Sequence, residues 1–351
     1  MKLINKSVAL ASVLTLSAGL SLTAYAENLP ETKVKFIGTW ASLSVYKERE
    51  QPLWAKRIPE ASNGAITAEV TSFTDMGMKG AEVFRLMEKG VVPFGSTVLG
   101  YVAGDDPENE AVDLAGFSAD IDTAKKIADA YKPSLSKLYE KKYGIKLLAL
   151  YPFHAQMMFC RDEIKGLDDL KGKKIRTFSK SLSEFAEAVG ATGVTMAFGE
   201  VVPGLQRGVV DCAITGALSG NLAKWHEVTN YLYELPVGWS MVMQGASIKA
   251  WNKLDPKVRA LVEKEVAAWE NESWEAARGE TVAGIACNTG GDCTAGNKAS
   301  MKLVKVSDSD RKRLDDIMRT VIVPKWAERC GADCTADWNQ SVGKLVGITA
   351  K

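Results

Sequence analysis

The feature that most constrains the fold is the stretch of residues 172–225, in which short apolar strands alternate with amphipathic helices. The stretch predicts strand, helix, strand, helix, strand. This order is typical of a doubly wound parallel α/β sheet, and such sheets bind ligands beyond the carboxyl ends of their strands. The residues that the pattern places along this edge are Arg176, Thr177, Phe198 and Thr215. We therefore predict that the edge holds a small organic anion.

A second unit of the same kind comes earlier in the chain. Strands are predicted at residues 34–38, 65–73 and 91–97, with helices between them. A helix at residues 121–143 and an apolar strand at residues 145–151 follow. The 351 residues suffice for two domains, each with its own core. The repeated pattern therefore predicts two α/β lobes.

The chain is expected to cross between the lobes twice, near Pro152 and near Trp239. A long helix is predicted from Pro256 to about residue 281, because its apolar residues keep helical spacing. Two crossovers between two lobes form a hinge, with a cleft between the lobes. The predicted boundaries are residues 27–152 plus 241–280 for lobe I, and residues 153–240 plus 281–351 for lobe II.

The first 26 residues have the pattern of a secretory signal peptide. Lys2 and Lys6 precede an apolar run at residues 8–22, and a small-x-small site ends at Ala26. The alternative is a membrane anchor, but the run is short for crossing a bilayer and leads directly into polar sequence. We predict cleavage after Ala26 and a mature protein in the periplasm, without stable membrane insertion.

Charge and motifs argue against two broad functions. The formal net charge of +1 leaves no excess of basic residues for binding nucleic acid. The chain contains no G-x-S-x-G or H-E-x-x-H motif, no phosphate-binding glycine loop and no dinucleotide fingerprint. Only two histidines, His154 and His226, could serve in a Ser/His/Asp triad, so such a triad is poorly supported. No sequence motif identifies a pair of catalytic carboxylates. We therefore predict no enzyme activity, no cofactor and no metal.

Six cysteines fit an oxidising compartment. Cys287 and Cys293 flank one turn, and Cys330 and Cys334 flank another. Each pair could close its own loop, or the two loops could be cross-linked. A zinc site is the alternative, which the predicted export and the distant histidines disfavour. The remaining two cysteines could be free thiols or one bridge, and they are Cys160 and Cys212.

A motif series in residues 165–216 resembles the solute-binding proteins of tripartite ATP-independent periplasmic (TRAP) transporters. It reads L-K-G-x-K-I-R, then G-A-x-x-x-x-M-A-F-x-E-V, then L-Q-x-G-x-V-D. The resemblance implies a two-lobed periplasmic binding protein, or Venus flytrap, with hinge crossovers and a long helix in its C-terminal half. It also implies capture of a carboxylate, or a sulfonate, for an ion-gradient-driven membrane transporter. A ligand carrier for a sensor receptor, and less favourably a secreted hydrolase, are the alternatives.

The resemblance also implies roles for residues of the second lobe. The arginine of K-I-R, here Arg176, would form a two-pronged salt bridge to the ligand's carboxylate, which suits a planar guanidinium. Thr215 stands where the family often has Asn, and Phe198 would be an aromatic wall or a core residue. Gln156 lies nearest to a second arginine that some members have. With no arginine there, a second carboxylate clamp is not expected, and a mono-anionic or partly polar ligand is favoured.

Further candidates come from the first lobe and the crossovers. Trp40 and Ser42 follow the first predicted strand, and Ser96 and Thr97 end the strand at residues 91–97. For Trp40, stacking on the ligand and packing in the core are equally plausible. Trp239 and His154 lie near the crossovers, where a structural role is favoured over ligand contact.

Ser181 and Glu184 have the spacing of a capping box at the start of a helix. We therefore assign both residues to helix structure rather than to ligand binding.

Overall fold

The computed structural model describes residues 29–351, so the predicted signal peptide and its cleavage after Ala26 lie outside the described residues. The described chain forms two sheets with helices packed on them. The strands are β1 (Thr32–Gly38), β2 (Ile66–Ser72), β3 (Phe94–Val98), β4 (Ile145–Pro152), β5 (Gln156–Cys160), β6 (Lys174–Thr177), β7 (Thr192–Thr195), β8 (Cys212–Gly216), β9 (Tyr231–Tyr233), β10 (Met241–Ser247) and β11 (Lys302–Val304).

The helices follow the predicted alternation with the strands. The first helical segment consists of the π-helical turns Val45–Glu50 and Leu53–Arg57, which run into α1. The α-helices are α1 (Ile58–Ala61), α2 (Gly80–Glu88), α3 (Ile121–Leu138), α4 (Lys180–Ala188), α5 (Val201–Gln206), α6 (Ala217–Leu222), α7 (Ile248–Trp251), α8 (Pro256–Asn288), α9 (Asp308–Ile317), α10 (Val323–Cys330), α11 (Ala332–Trp338) and α12 (Lys344–Val346). None of the helices in residues 29–351 is both long and apolar enough to cross a membrane.

The first sheet has the strand order β2-β1-β3-β10-β4, and the second has β11-β9-β5-β8-β6-β7. In each sheet, one strand runs antiparallel to both of its neighbours: β10 in the first and β5 in the second. Each of these two strands follows a strand of the other sheet without an intervening α-helix. The sequence pattern predicts parallel sheets, which is correct for the other pairings.

The direction of β5 follows from where it begins. β4 ends at Pro152 and β5 begins at Gln156, so the carboxyl end of one strand meets the start of the next. Gln156 in turn pairs with Gly216, the last residue of β8. A strand that starts where its neighbours end must run against them. The carboxyl ends of β4 and β8 therefore lie at the same place, beside the first crossover.

The long helix α8 contacts both sheets. Near its middle, the Trp274 indole Nε1 donates a hydrogen bond to the carbonyl oxygen of Leu150 in β4 (3.1 Å). At its carboxyl end, Asn288 Nδ2 donates to the carbonyl oxygen of Ala217 in α6 (2.8 Å). The helix extends beyond the predicted end near residue 281. Gly284 lies in this extension, and a Cβ there would lie 2.3 Å from the backbone nitrogen of Leu218, so α8 and α6 are in contact at this glycine.

One local prediction from the sequence was wrong. Ser181 and Glu184 fit the spacing of a capping box, but the residue that caps α4 is Ser179, whose hydroxyl accepts from the Leu182 backbone N–H (3.3 Å). The Ser181 N–H instead donates to Glu110 (2.9 Å), and Glu184 pairs with Arg329. The Ser181 N–H and the Glu184 carboxylate therefore bind segments that are distant in sequence, and they do not form a capping box.

All six cysteines form disulfides, and none is free. Each of the two turns closes on itself, through Cys287–Cys293 and Cys330–Cys334. The third bridge joins Cys160 and Cys212, which face each other on β5 and β8. The prediction of disulfides is therefore confirmed, with the pairing that the sequence left open now assigned.

Candidate functional site

Arg176 lies on β6 of the second sheet, between the edge strand β7 and β8. Its side chain is only 1% exposed. The guanidinium Nε donates to the carbonyl oxygen of Met196 (3.0 Å), and Nη1 donates to that of Ile214 (2.7 Å). The two flanking strand segments thus hold the planar group in place, and a ligand can approach the remaining N–H groups.

No carboxylate pairs with Arg176 among the described residues, and the side-chain polar group that acts on its guanidinium is the nearby Tyr101 hydroxyl. Burial lowers the pKa of Arg176 from its usual value, and Tyr101 opposes this shift. A guanidinium nevertheless keeps its proton in proteins. The structure therefore contains a buried cation whose charge no protein anion neutralises.

Aromatic rings surround the guanidinium. Its carbon atom lies 5.4 Å from the ring centroid of Phe178, 5.7 Å from that of Trp225 and 6.0 Å from that of Phe198. Such distances allow cation–π attraction, which is stronger where water is excluded. The rings offset part of the free-energy cost of burying the charge. They leave the end of the guanidinium accessible to a partner that binds it more strongly.

Arg176 borders a narrow cavity of about 20 Å³ between the two sheets, room for about one water molecule. Segments that follow strands of both sheets form its walls. The lining residues are Trp40, Leu43, Tyr101, Phe153, Gln156, Arg176, Phe178, Phe198, Thr215, Ser219 and Ser240.

The first sheet closes the cavity with an aromatic cluster around Trp40. Its indole makes edge-to-face contacts with Phe198 (centroids 5.4 Å apart), Tyr101 (5.8 Å) and Phe153 (5.8 Å). Burial raises the pKa of the Tyr101 hydroxyl, and the charge of Arg176 partly offsets this. The hydroxyl therefore stays protonated at neutral pH and can both accept from Arg176 and donate to a ligand.

The structure brings five of the ten sequence-predicted site residues together in this cavity. They are Trp40, Gln156, Arg176, Phe198 and Thr215.

Three predicted residues of the first lobe lie outside the cavity lining. The Thr97 hydroxyl is buried and donates to the carbonyl oxygen of Gly80 (2.8 Å). The Ser96 hydroxyl is also buried and accepts from the Tyr151 hydroxyl (3.0 Å). Ser42 is exposed to solvent. We do not include these three in the proposed site.

The two crossover residues hold the crossovers in place. His154 Nε2 accepts from the Ser219 backbone N–H (2.7 Å), while its Nδ1 faces a Glu280 carboxylate oxygen at 3.5 Å. The Trp239 backbone N–H donates to Asp113 (2.8 Å), and its indole donates to the carbonyl oxygen of Ser118 (3.2 Å). Neither side chain lines the cavity, so both positions favour the structural role.

Sequence reasoning missed six of the lining residues. Phe178 could have been predicted from the sequence, because it stands two positions after Arg176, directly after the same strand. Ser240 is marked only by its backbone, which has a positive φ of 51°. The other four carry no sequence signal that distinguishes them from core residues, and they are Leu43, Tyr101, Phe153 and Ser219.

Comparisons with known proteins agree with this geometry. A family model described as bacterial extracellular solute-binding protein, family 7, matches residues 37–322. The chain is 28% identical over 263 residues to the C4-dicarboxylate-binding periplasmic protein DctP of Rhodobacter capsulatus, covering 74% of this chain and 77% of that protein. It is 25% identical over 213 residues to the ectoine-binding periplasmic protein TeaA of Halomonas elongata. The latter match spans only 59% of either protein.

Among solved structures, an extracytoplasmic solute receptor of Bordetella pertussis that binds pyroglutamic acid superimposes with a TM-score of 0.78 at 22% sequence identity. The match covers 87% of this chain and 98% of that one. The likeness confirms the predicted two-lobed α/β fold. Because the family model covers most of the sequence, from β1 into the helices that follow α9, the chain belongs to the bacterial extracellular solute-binding proteins of family 7.

Proposed function

We propose that this protein captures a small organic acid anion in the cavity at Arg176 and delivers it to the membrane subunits of a TRAP-type transporter driven by an ion gradient. The observation that carries the proposal is the buried guanidinium that no carboxylate of the described chain neutralises. An unpaired buried charge is costly. A carboxylate from outside removes that cost with a charge-assisted, two-pronged hydrogen bond.

The polar contacts of the cavity support binding rather than a reaction. The lining contains hydroxyl and amide groups but no carboxylate and no imidazole. A general acid or base must lie within hydrogen-bond reach of the reacting atom. We therefore propose that the ligand leaves the protein unchanged.

Ligand binding is coupled to closure of the lobes. In this proposal, lobe I comprises residues 27–152 plus 241–280, lobe II comprises residues 153–240 plus 281–351, and the crossovers act as the hinge. The anion first docks on Arg176, and the Trp40 segment then closes over it. Because the ligand has more contacts in the closed form, binding shifts the population toward that form. The closed form is what the membrane subunits recognise.

Export to the periplasm fits the rest of the molecule. Three disulfides are expected of a protein in an oxidising compartment. The proposal includes removal of the signal peptide after Ala26, which mass spectrometry of the secreted protein tests directly.

The binding proposal is tested with Arg176→Ala. A thermal-shift screen against organic acids first identifies a stabilising acid, because a ligand that binds only the folded form raises the melting temperature. We expect the variant to lose affinity for that acid in calorimetry while its melting temperature without ligand changes little. Arg161→Ala is the matched control: Arg161 is also on the second lobe and donates to a carbonyl oxygen, that of Leu205, but lies outside the cavity. Equal affinity in wild type and Arg176→Ala would refute the proposal.

A further inference from the structure

We infer that the protein has a second binding site, in a groove between α3, α9 and the C-terminal segment, and that this groove takes an anion with an apolar chain, such as a medium-chain carboxylate. The groove is formed by parts of residues 116–126, 235–236, 311–319 and 345–348. It shares no lining residue with the cavity at Arg176, so the inference is independent of the proposed function.

The groove has the size of a small-molecule site. Its volume is about 420 Å³, within the range of ligand pockets, about 300–1,000 Å³. The cavity at Arg176, in contrast, has room for about one water molecule. The groove can therefore receive a ligand without a movement of the lobes.

Contacts at Gly116 fix one wall of the groove. Gly116 has a positive φ of 76°, and a Cβ there would lie 2.7 Å from Leu314 Cδ1 of α9. Its backbone N–H donates to the carbonyl oxygen of Val237 (3.0 Å). The loop before α3 is thus held against both α9 and the segment that leads into the second crossover, and the groove is preformed.

Part of the groove surface is apolar. Leu345 is 48% exposed, and Pro236, Val346 and Ile348 are partly exposed in the same groove. Single exposed apolar side chains are common on proteins, but here four of them line one concave surface. An alkyl chain bound there would remove its own surface and theirs from water.

The polar part of the groove surface is mainly basic. Lys126 of α3 and Arg311 of α9 are exposed in its lining. The one carboxylate of the lining, Asp315, pairs with Arg319 (2.9 Å). Lys126 and Arg311 therefore give the groove a positive charge that its own carboxylate does not neutralise.

The nearest carboxylate on α3 does not neutralise this charge either. Asp122, one turn before Lys126, pairs with Arg278 (2.5 Å). Within residues 29–351, no ion pair includes Lys126 or Arg311. A surface that combines two unpaired cations with apolar side chains is complementary to an anion that carries an apolar chain.

The test is calorimetry of the purified protein at low ionic strength with three probes below their micelle concentrations. Octanoate has a negative head and a chain, acetate has the head alone, and octyltrimethylammonium has the chain with a positive head. We expect octanoate to bind at least about tenfold more tightly than acetate, because each buried methylene group adds about fourfold. It should also bind at least about tenfold more tightly than octyltrimethylammonium, which the two cations repel.

Two variants locate the site, and each has a matched control. Leu345→Asp and Arg311→Ala change exposed residues of the groove, and we expect each to weaken octanoate binding at least about fivefold. The controls are Val282→Asp, at an exposed apolar residue outside the groove, and Lys312→Ala, next to Arg311 on α9 but outside the lining. Both controls should bind octanoate with wild-type affinity. Circular dichroism and the melting temperature establish that all four variants fold.

Arg176→Ala separates this site from the cavity. We expect this variant to retain octanoate binding at one site per chain. If it loses octanoate binding while Leu345→Asp and Arg311→Ala keep it, octanoate binds in the cavity, so the inference is wrong and the proposed function stands. Octanoate that binds no more tightly than acetate, or not at all, would overturn the inference and leave the proposed function untouched.

Discussion

The indole of Trp40 and the ring of Phe198 meet edge to face with their centroids 5.4 Å apart, although Trp40 follows β1 of the first sheet and Phe198 follows β7 of the second. This contact exists only when the two sheets are close. An aromatic pair of this kind contributes about 0.5–1.5 kcal/mol beyond its buried area. The pair therefore favours the closed arrangement in which the structure is described.

Replacing Trp40 should weaken ligand binding by weakening closure. We expect Trp40→Ala to raise the Kd about tenfold, which corresponds to about 1.4 kcal/mol, and Trp40→Phe to restore part of the loss. Calorimetry gives the affinities, and small-angle X-ray scattering measures the compaction that the ligand induces. If Trp40→Ala binds and compacts like wild type, then the indole does not contribute to closure.

The Tyr101 hydroxyl lies near the Arg176 guanidinium in the cavity lining. We expect Tyr101→Phe to raise the Kd by about tenfold, because the hydroxyl can donate to a carboxylate bound at Arg176 and hydrogen bonds to charged groups contribute about 1.5–3 kcal/mol. The change removes one oxygen atom and keeps the ring contacts with Trp40 and Phe178.

Tyr143→Phe is the matched control for this variant. Its hydroxyl also hydrogen-bonds a charged residue, Asp106 (3.0 Å), but it is remote from the cavity lining. The control should bind the ligand with wild-type affinity. Similar affinity losses in both variants would indicate a general effect on the fold and would argue against a role for Tyr101 in the site.

The sequence was sufficient for local structure and for the position of Arg176. Alternation of strands and helices predicted most elements, because burial imposes the periods of two and 3.6 residues on the chain. The motif around K-I-R placed Arg176 at a strand end. Contacts between the lobes impose no periodic pattern on the sequence. Trp40 meets Phe198, and Tyr101 meets Arg176, only after two distant units have docked, so neither contact could be predicted from local pattern.

The same reason explains the wrong capping prediction. Spacing alone favoured a capping box of Ser181 and Glu184. In the folded chain, the Ser181 N–H donates to Glu110 and Glu184 pairs with Arg329, and both partners are remote in sequence. α8 extends to Asn288, beyond the predicted end near residue 281, and Gly284 lies in this extension. Its close approach to α6 is visible only in three dimensions.

The three disulfides should contribute unequally to stability. A bridge stabilises a protein mainly by restricting the unfolded chain, and more so for longer loops. Cys160 and Cys212 are separated by 52 positions, whereas Cys330 and Cys334 are separated by 4. The loop-entropy relation gives about 4 kcal/mol for the first bridge and about 2 kcal/mol for the second.

Double Cys→Ala variants of the two bridges test this order. We expect the Cys160/Cys212 variant to lose more free energy of unfolding in guanidinium titrations than the Cys330/Cys334 variant. Ligand affinity should persist in the Cys330/Cys334 variant, because its bridge is distant from the cavity lining. An equal or reversed order of the two losses would contradict the prediction.

The last prediction concerns pH and the carboxyl group of Asp113, which is buried against the second crossover. It accepts the backbone N–H groups of Trp239 (2.8 Å) and Met241 (3.3 Å). Burial raises its pKa to about 7, although these hydrogen bonds oppose the shift. The folded protein thus holds a proton that the unfolded chain releases near the usual aspartate pKa of 3.8. The resulting contribution to stability is complete below about pH 4 and is lost as the pH rises through 7, by at most about 4 kcal/mol.

Asp113→Asn removes this titration. The free energy of unfolding of wild type minus that of the variant should therefore decrease from pH 4 to pH 8, measured by denaturant titration at each pH. Glu280, whose pKa is lowered from 4.5 to about 2 because the partners His154 and Arg49 outweigh burial, loses its stabilising contribution below about pH 4.5. This contribution is the same in wild type and variant and cancels in the difference. Asp105→Asn, at an exposed carboxylate paired with Arg85, is the control and should show a flat difference. A flat difference for Asp113→Asn as well would show that Asp113 is ionised throughout this range, in which case its hydrogen bonds to the crossover outweigh its burial.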